Sequence, residues 1–260
     1  WTQYDPRYRN VKNAGWLGVA PTLKGLDGKW AYPGKGYGAD IAARANDLRN
    51  FAASMETTVS KDIIKVALAA GHRNSSGGDA IEKQQTAQLT PLLAAALRRY
   101  GMDVRVITPD EGRGMYPGEL DDVASQVRAD DDLFIEVHTE GNGAGDAGRG
   151  VFVVYPDWGD DVDVDARDIL GPSIAKRVST ASGMPVRGKG VMSEKDTGVG
   201  RDGYRLGVFR VTAPLRANTT RVIIEYGSHS SPADMARWAS PGVVEMMATA
   251  TASAVADFYG

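Results

Sequence analysis

Short apolar runs alternate with stretches of helical periodicity from Asp62 onward, and this alternation restricts the fold more than any other feature of the chain. Ile63–Ala70, Val104–Ile107, Asp132–His138, Gly150–Tyr155 and Arg221–Glu225 read as strands. Between them, Ile81–Tyr100, Leu120–Val127 and Ala166–Ser182 read as helices. In the first helix Leu89, Leu92, Leu93, Ala96, Leu97 and Tyr100 share a face, Pro91 predicts a kink or restart, and Gly101 ends it. Ser240 as N-cap and Pro241 as first residue predict a last helix with Val243, Met247, Ala250, Ala254 and Phe258 on one side. Strands joined through helices need crossover connections, so the expected class is α/β with a largely parallel sheet. Gly183–Tyr204 carries six Gly and a run of charges, including Arg187, Lys189, Lys195 and Arg201, and is expected to be a long mobile loop beside the substrate groove.

Residues 1–58 have a different texture, with Trp1, Trp16, Trp30, Tyr4, Tyr8, Tyr32, Tyr37 and many Gly. They predict a small loop-rich N-terminal extension, followed by a catalytic domain over 59–260. Thirty Lys and Arg against 33 Asp and Glu leave a net charge of -3 without a basic arm, which disfavours nucleic acid as a partner. No apolar run reaches the roughly 18 residues of a membrane span, and a monomer is the expected state. The first residues show neither a basic leader nor an initiator Met, which predicts a processed or trimmed product. With no Cys and three His, any metal must be held by imidazole and carboxylate.

Three strands deliver polar groups at their carboxyl ends: Val66-Ala-Leu-Ala-Ala-Gly-His72, Leu133-Phe-Ile-Glu-Val-His138 and Val222-Ile-Ile-Glu225. In open α/β sheets that end is where the ligand crevice lies. Glu82, at the start of the first helix, joins His72 and His138 as a two-His, one-carboxylate set of the kind that binds zinc with a position left for water. Water bound in such a site loses a proton near neutral pH, and a carboxylate off the metal, here Glu225, can carry that proton to a leaving amine. Plainer readings stand beside each. Asp79-Ala-Ile-Glu82 has the form of a capping box, a strand-end His is often a buried structural one, and Glu225 reads equally as an ion-paired strand terminus.

Gly-His72, Glu82-Lys83, Leu-Phe-Ile-Glu-Val-His138 and Ile-Ile-Glu225-Tyr-Gly227 resemble, in order and spacing, the motifs of type 3 zinc-dependent N-acetylmuramoyl-L-alanine amidases over about residues 61–260. The resemblance implies a mixed, mostly parallel sheet flanked by helices. It implies cleavage of the peptidoglycan amide between the lactyl group of muramic acid and L-alanine, with a site of action outside the cell or at the bacterial wall, as an autolysin or a phage lysin. By motif it makes His72, Glu82 and His138 the zinc ligands and Glu225 the catalytic carboxylate. Where the family usually has Gly-Gly, Ser and Ala-Asn, this chain has Arg73-Asn74, Glu136 and Thr139-Glu140, and His229 follows the last motif as either an oxyanion stabiliser or a loop residue. Leu26–Asn46 resembles the closing segment of glucosaminidase-type hydrolases, which implies a remnant that packs or binds glycan. A zinc hydrolase of another amide and a non-catalytic wall-binding module are the rival readings.

Two Gly-rich stretches, Gly143–Gly148 and Gly198–Gly203, match the letters of a dinucleotide fingerprint but not its strand-then-helix context. Asp161-Val-Asp-Val-Asp165 lacks the Gly and Glu of a calcium loop and is expected to be a solvated acidic turn.

Overall fold

The computed structural model describes residues 43–44, 46, 63–72, 80–108, 120–141 and 145–260. The expected N-terminal extension, its glycan-hydrolase echo and Asp79 therefore lie outside the described residues, apart from positions 43, 44 and 46. The chain divides into two units between Asp62 and Ile63, and the elements below belong to the second.

In chain order these are β1 (Lys65–Ala70), α1 (Ala80–Arg99), β2 (Asp103–Ile107), α2 (Leu120–Gln126), β3 (Leu133–Glu140) and β4 (Val151–Tyr155). A two-residue ribbon follows, β5 (Asp157–Trp158) against β6 (Asp161–Val162), then α3 (Gly171–Ser182) and β7 (Val186–Ser193). The remainder is α4 (Gly198–Arg201), α5 (Gly207–Thr212), β8 (Thr220–Ser228), α6 (Pro232–Trp238) and α7 (Val243–Tyr259).

Six strands form one sheet in the order β2-β1-β3-β8-β4-β7. The pairs β1·β2, β1·β3 and β3·β8 are parallel, as crossover helices require. β4 runs antiparallel to β8, since only ten residues separate it from the end of β3, too few for a crossover. The sheet is thus mixed and mostly parallel.

Strand alternation sends two sets of side chains to two layers. Val66, Leu68, Leu133, Ile135, Val137, Val222, Ile224 and Tyr226 enter the larger core with Leu89, Leu93 and Leu97 of α1, Ile174 and Val178 of α3, and Met247 and Val255 of α7. Complete burial of a Leu or Ile there stabilises the fold by about 1.5–3 kcal/mol. Ala67, Ala69, Phe134, Phe152, Val154 and Ile223 face the other way, against Val123 of α2 and Val208 and Phe209 of α5. This second layer is thinner, and the open end of the sheet on that side is where polar residues gather.

Four expectations need correction. Gly183–Tyr204 is not a long loop: it holds β7, a short 3-10 turn at Glu194–Asp196 and α4. Its glycines serve an irregular edge strand, where Gly188 and Gly190 have φ of 57° and 82° and the register against β4 shifts. Pro91 does not restart α1, which runs unbroken from Ala80 to Arg99 with Pro91 on its exposed side. The last helix starts at Val243 behind Gly242, because the Ser240 hydroxyl bonds back to the Ala236 carbonyl and Gly242 turns with φ of 75°. Finally, Asp161 is no solvated residue but is 3 % exposed, ion-paired with Arg221 and Arg205, while Asp163 accepts from the Ala166 and Arg221 amides.

Candidate active site

His72 follows the last residues of β1 and is held by an unusual backbone. Its φ of 54° is the one positive value outside glycine among the described residues. Glycine, which lacks a Cβ, would adopt that conformation more cheaply, so His72 sits on a locally strained backbone. Gly71 before it approaches the second His so closely that a Cβ there would stand 2.2 Å from the His138 ring. The Gly71 amide donates to the Val137 carbonyl, and its own carbonyl accepts from the Thr86 hydroxyl, which fixes the strand end on β3 and α1.

His138 and Glu225 are register partners on the neighbouring parallel strands β3 and β8, so both reach the thin face at the same level. Glu82 arrives from the first turn of α1 and is buried. Its Oε1 lies 3.0 Å from His138 Nδ1 and accepts from the Thr139 amide at 3.3 Å. The rings of His72 and His138 meet edge to face with centroids 4.9 Å apart. One ligand atom from each of His72, Glu82 and His138 falls within 4.8 Å of the others.

This donor set fits a tetrahedral zinc ion. Ligands about 2.0–2.1 Å from such an ion stand about 3.3 Å apart, close to the Glu82–His138 separation, and imidazole with carboxylate is a common zinc donor combination.

The electrostatics follow from crowding. Burial pushes the His72 imidazole pKa down, and the charge of His138 adds to this. For His138 burial acts downward too, but the Glu136 and Glu82 carboxylates outweigh it and hold its pKa well above the ordinary value. Burial would raise Glu82, yet its hydrogen bond and charge interaction with His138 bring it below the ordinary value. Glu225 is pushed up to about 7, first by burial, with Glu82 and Glu136 raising it and His138 and Arg187 opposing. Its Oε2 is enclosed and has no hydrogen-bond partner among the described residues.

His72, Glu82, His138 and Glu225 line a cleft of about 440 Å³ with Thr139, Glu140, Gly141 and His229. His229 Nδ1 is 3.3 Å from the Thr139 hydroxyl, which itself lies 2.9 Å from Gln85 Oε1. Gly141 makes room for that ring, since a Cβ would meet its Nε2 at 2.2 Å. An adjoining hollow of about 390 Å³ continues past Glu225 to Phe152, Arg187, Thr197 and Arg201. There Arg187 lies 4.8 Å over the Phe152 ring and against Glu140. Sequence reasoning brought forward the four central residues; Thr139 and Gln85 carried no signal of their own, since a buried Thr or Gln has no motif until the fold supplies its partner.

A sheet of this order, with two imidazoles and Glu225 at the carboxyl ends of its parallel strands and Glu82 brought in from α1, defines an α/β protein with a candidate metal-binding cleft. The chain belongs to the Amidase_3 family, N-acetylmuramoyl-L-alanine amidase, which it matches over residues 66–257. Members of this family act on peptidoglycan. Its fold is shared with the CwlD amidase from Clostridioides difficile in complex with the GerS lipoprotein (16% identity, TM-score 0.55, covering 75% of this chain and 98% of that one). The apo amidase Ami1 from Mycobacterium abscessus is similar at 16% identity and TM-score 0.54, over 76% of this chain and 99% of that one. The catalytic domain of the CD27L endolysin targeting Clostridia difficile is similar at 21% identity and TM-score 0.50, over 75% and 97%. No curated protein sequence gives a significant match. Among the described residues no helix is long and apolar enough to cross a membrane.

Proposed function

We propose that His72, Glu82 and His138 hold zinc and that Glu225 is the catalytic carboxylate for hydrolysis of the muramoyl lactyl–L-alanine amide. The observation that carries this reading is the convergence of the three ligand atoms within 4.8 Å beside the enclosed oxygen of Glu225. Bound there, zinc supplies Lewis acidity and brings the loss of a water proton close to neutral pH. Glu225 takes the proton of the attacking water and returns it to the alanine nitrogen as the amide opens. A carboxylate poised near 7 suits both directions of that transfer.

On the same reading the enzyme works at the bacterial cell wall, as an autolysin or a lysin, and as a monomer. On it, residues 59–260 are the catalytic domain and residues 1–58 an aromatic and Gly-rich N-terminal segment, either a glucosaminidase-domain remnant or a wall-binding piece.

Purified protein incubated with defined muropeptides should release free stem peptide and contain one zinc per chain. Glu225→Ala should keep the zinc and lose about 10²–10⁴ of the rate. An active Glu225→Ala enzyme would remove its assigned role. Release of a different amine would favour another amide as substrate, and sacculus binding without zinc or hydrolysis would favour a binding module.

A further inference from the structure

Glu136 is a buried acid that faces this site and that the roles above leave unused. It stands two residues before His138 on β3, so strand alternation turns both side chains to the same face. It is 7 % exposed, and its register partners Ala69 and Ile223 offer it no polar group. Among the described residues its ion-pair partner is His138, whose Nε2 lies 3.1 Å from Glu136 Oε2. Arg205 lines the same small hollow but is engaged by Glu194 and Asp161.

The two nitrogens of His138 thus face two different carboxylates: Nδ1 meets Glu82 and Nε2 meets Glu136. The second contact is not aligned as a hydrogen bond, and among the described residues no other group bonds that nitrogen. Rotation of the carboxylate about its last torsion, which is soft, brings an oxygen into line. An imidazole that gives one nitrogen to a metal keeps its proton on the other, and the carboxylate facing that other nitrogen among the described residues is Glu136.

Resting on the zinc site proposed above, we infer that Glu136 is a positioning residue. It fixes the His138 proton on Nε2 and the ring orientation, and so leaves the Nδ1 lone pair turned toward Glu82 and the metal. Carboxylates that orient a ligating imidazole in this way raise metal affinity about 10- to 100-fold.

The test compares the whole chain with Glu136→Gln and Glu136→Ala by zinc titration against a competing chelator, and by nitrogen-15 NMR of the His138 ring in the zinc-loaded proteins. Gln has the same volume, so a space-filling role would leave both readouts unmoved. The expected order of affinity is wild type, then Gln, then Ala, with the total loss at about 10- to 100-fold. The ring should report an Nε2-bound proton in the wild type and an altered Nε2 signal in both variants. Wild-type protein that binds zinc while Glu136→Gln matches its affinity and ring signals, whatever Glu136→Ala does, overturns this inference alone. Wild-type protein that takes up no zinc overturns the metal reading and this one with it.

Discussion

His138 Nδ1 and Glu82 Oε1 lie 3.0 Å apart although 56 residues separate them in the chain, so strand β3 and helix α1 are joined through two proposed ligands of one ion. This pair needs no metal to form, and the layers around it are closed by apolar packing. Chelation should therefore abolish hydrolysis reversibly and leave the far-ultraviolet circular dichroism intact, unlike the unfolding seen when small zinc modules lose their ion. Zinc at one hundred times its Kd should stabilise the wild type by about 2.7 kcal/mol, and should not stabilise His72→Ala. Thermal melts with and without zinc provide the check. A wild type that unfolds on chelation would contradict the expectation.

Gly71→Ala should damage the site without removing any ligand. The added methyl would stand 2.2 Å from the His138 ring, which is enclosed and cannot retreat freely. Overpacking of this kind costs about 1–3 kcal/mol. Denaturant unfolding should show that loss, and zinc affinity should fall with it. An alanine variant with wild-type affinity would show that the ring has room.

The Asp161–Arg221 pair sets an acid limit on stability. Burial raises the Asp161 pKa, but hydrogen bonds from Arg221 and Arg205 outweigh it and hold the carboxyl below the ordinary value of 3.8. A depressed folded pKa means that the stabilisation is complete above the unfolded value and disappears as pH falls through the folded one. Acid unfolding should shift to higher pH in Asp161→Asn. Arg221→Ala, which leaves a buried carboxylate short of one partner, should cost about 3–5 kcal/mol at neutral pH. Urea titrations of both variants across the acid range test the two statements, and an unchanged acid midpoint in Asp161→Asn would refute the first.

Gly190→Ala should destabilise the edge of the sheet. Its φ of 82° disfavours any Cβ, and the new methyl would lie 3.0 Å from that of Ala175 on α3. A left-handed non-glycine residue costs about 1–2 kcal/mol. The Tm should fall correspondingly, and an unchanged value would mean that the bulge relaxes.

The frame of this domain was legible because its strands are fully buried and therefore continuous in apolar residues: Val66–Ala70 and Val222–Ile224 admit no other reading as good. His72, His138 and Glu225 were legible for a related reason, as each is a polar side chain at the end of a mainly apolar run. β7 was hidden because an exposed bulged edge, Val186-Arg-Gly-Lys-Gly-Val-Met-Ser193, has the composition of a loop. Helix α6 carried an unused signal, Ser231-Pro-Ala-Asp234, in which the Ser hydroxyl accepts from the Asp amide. The buried state of Asp161 was unreadable locally, because Arg221 lies 60 residues away and only the fold brings it in.

Reversal of β4 divides authorship of the cleft between two halves of the sheet. The proposed ligands and Glu225 come from the co-directional strands and from α1, whereas Phe152 and Arg187 are contributed by β4 and β7, which run the other way and connect through different loops. Exchange of the segments beside β7 can consequently reshape what the enzyme accepts while the hydrolytic apparatus stays untouched, so one scaffold is open to retuning toward differently decorated walls.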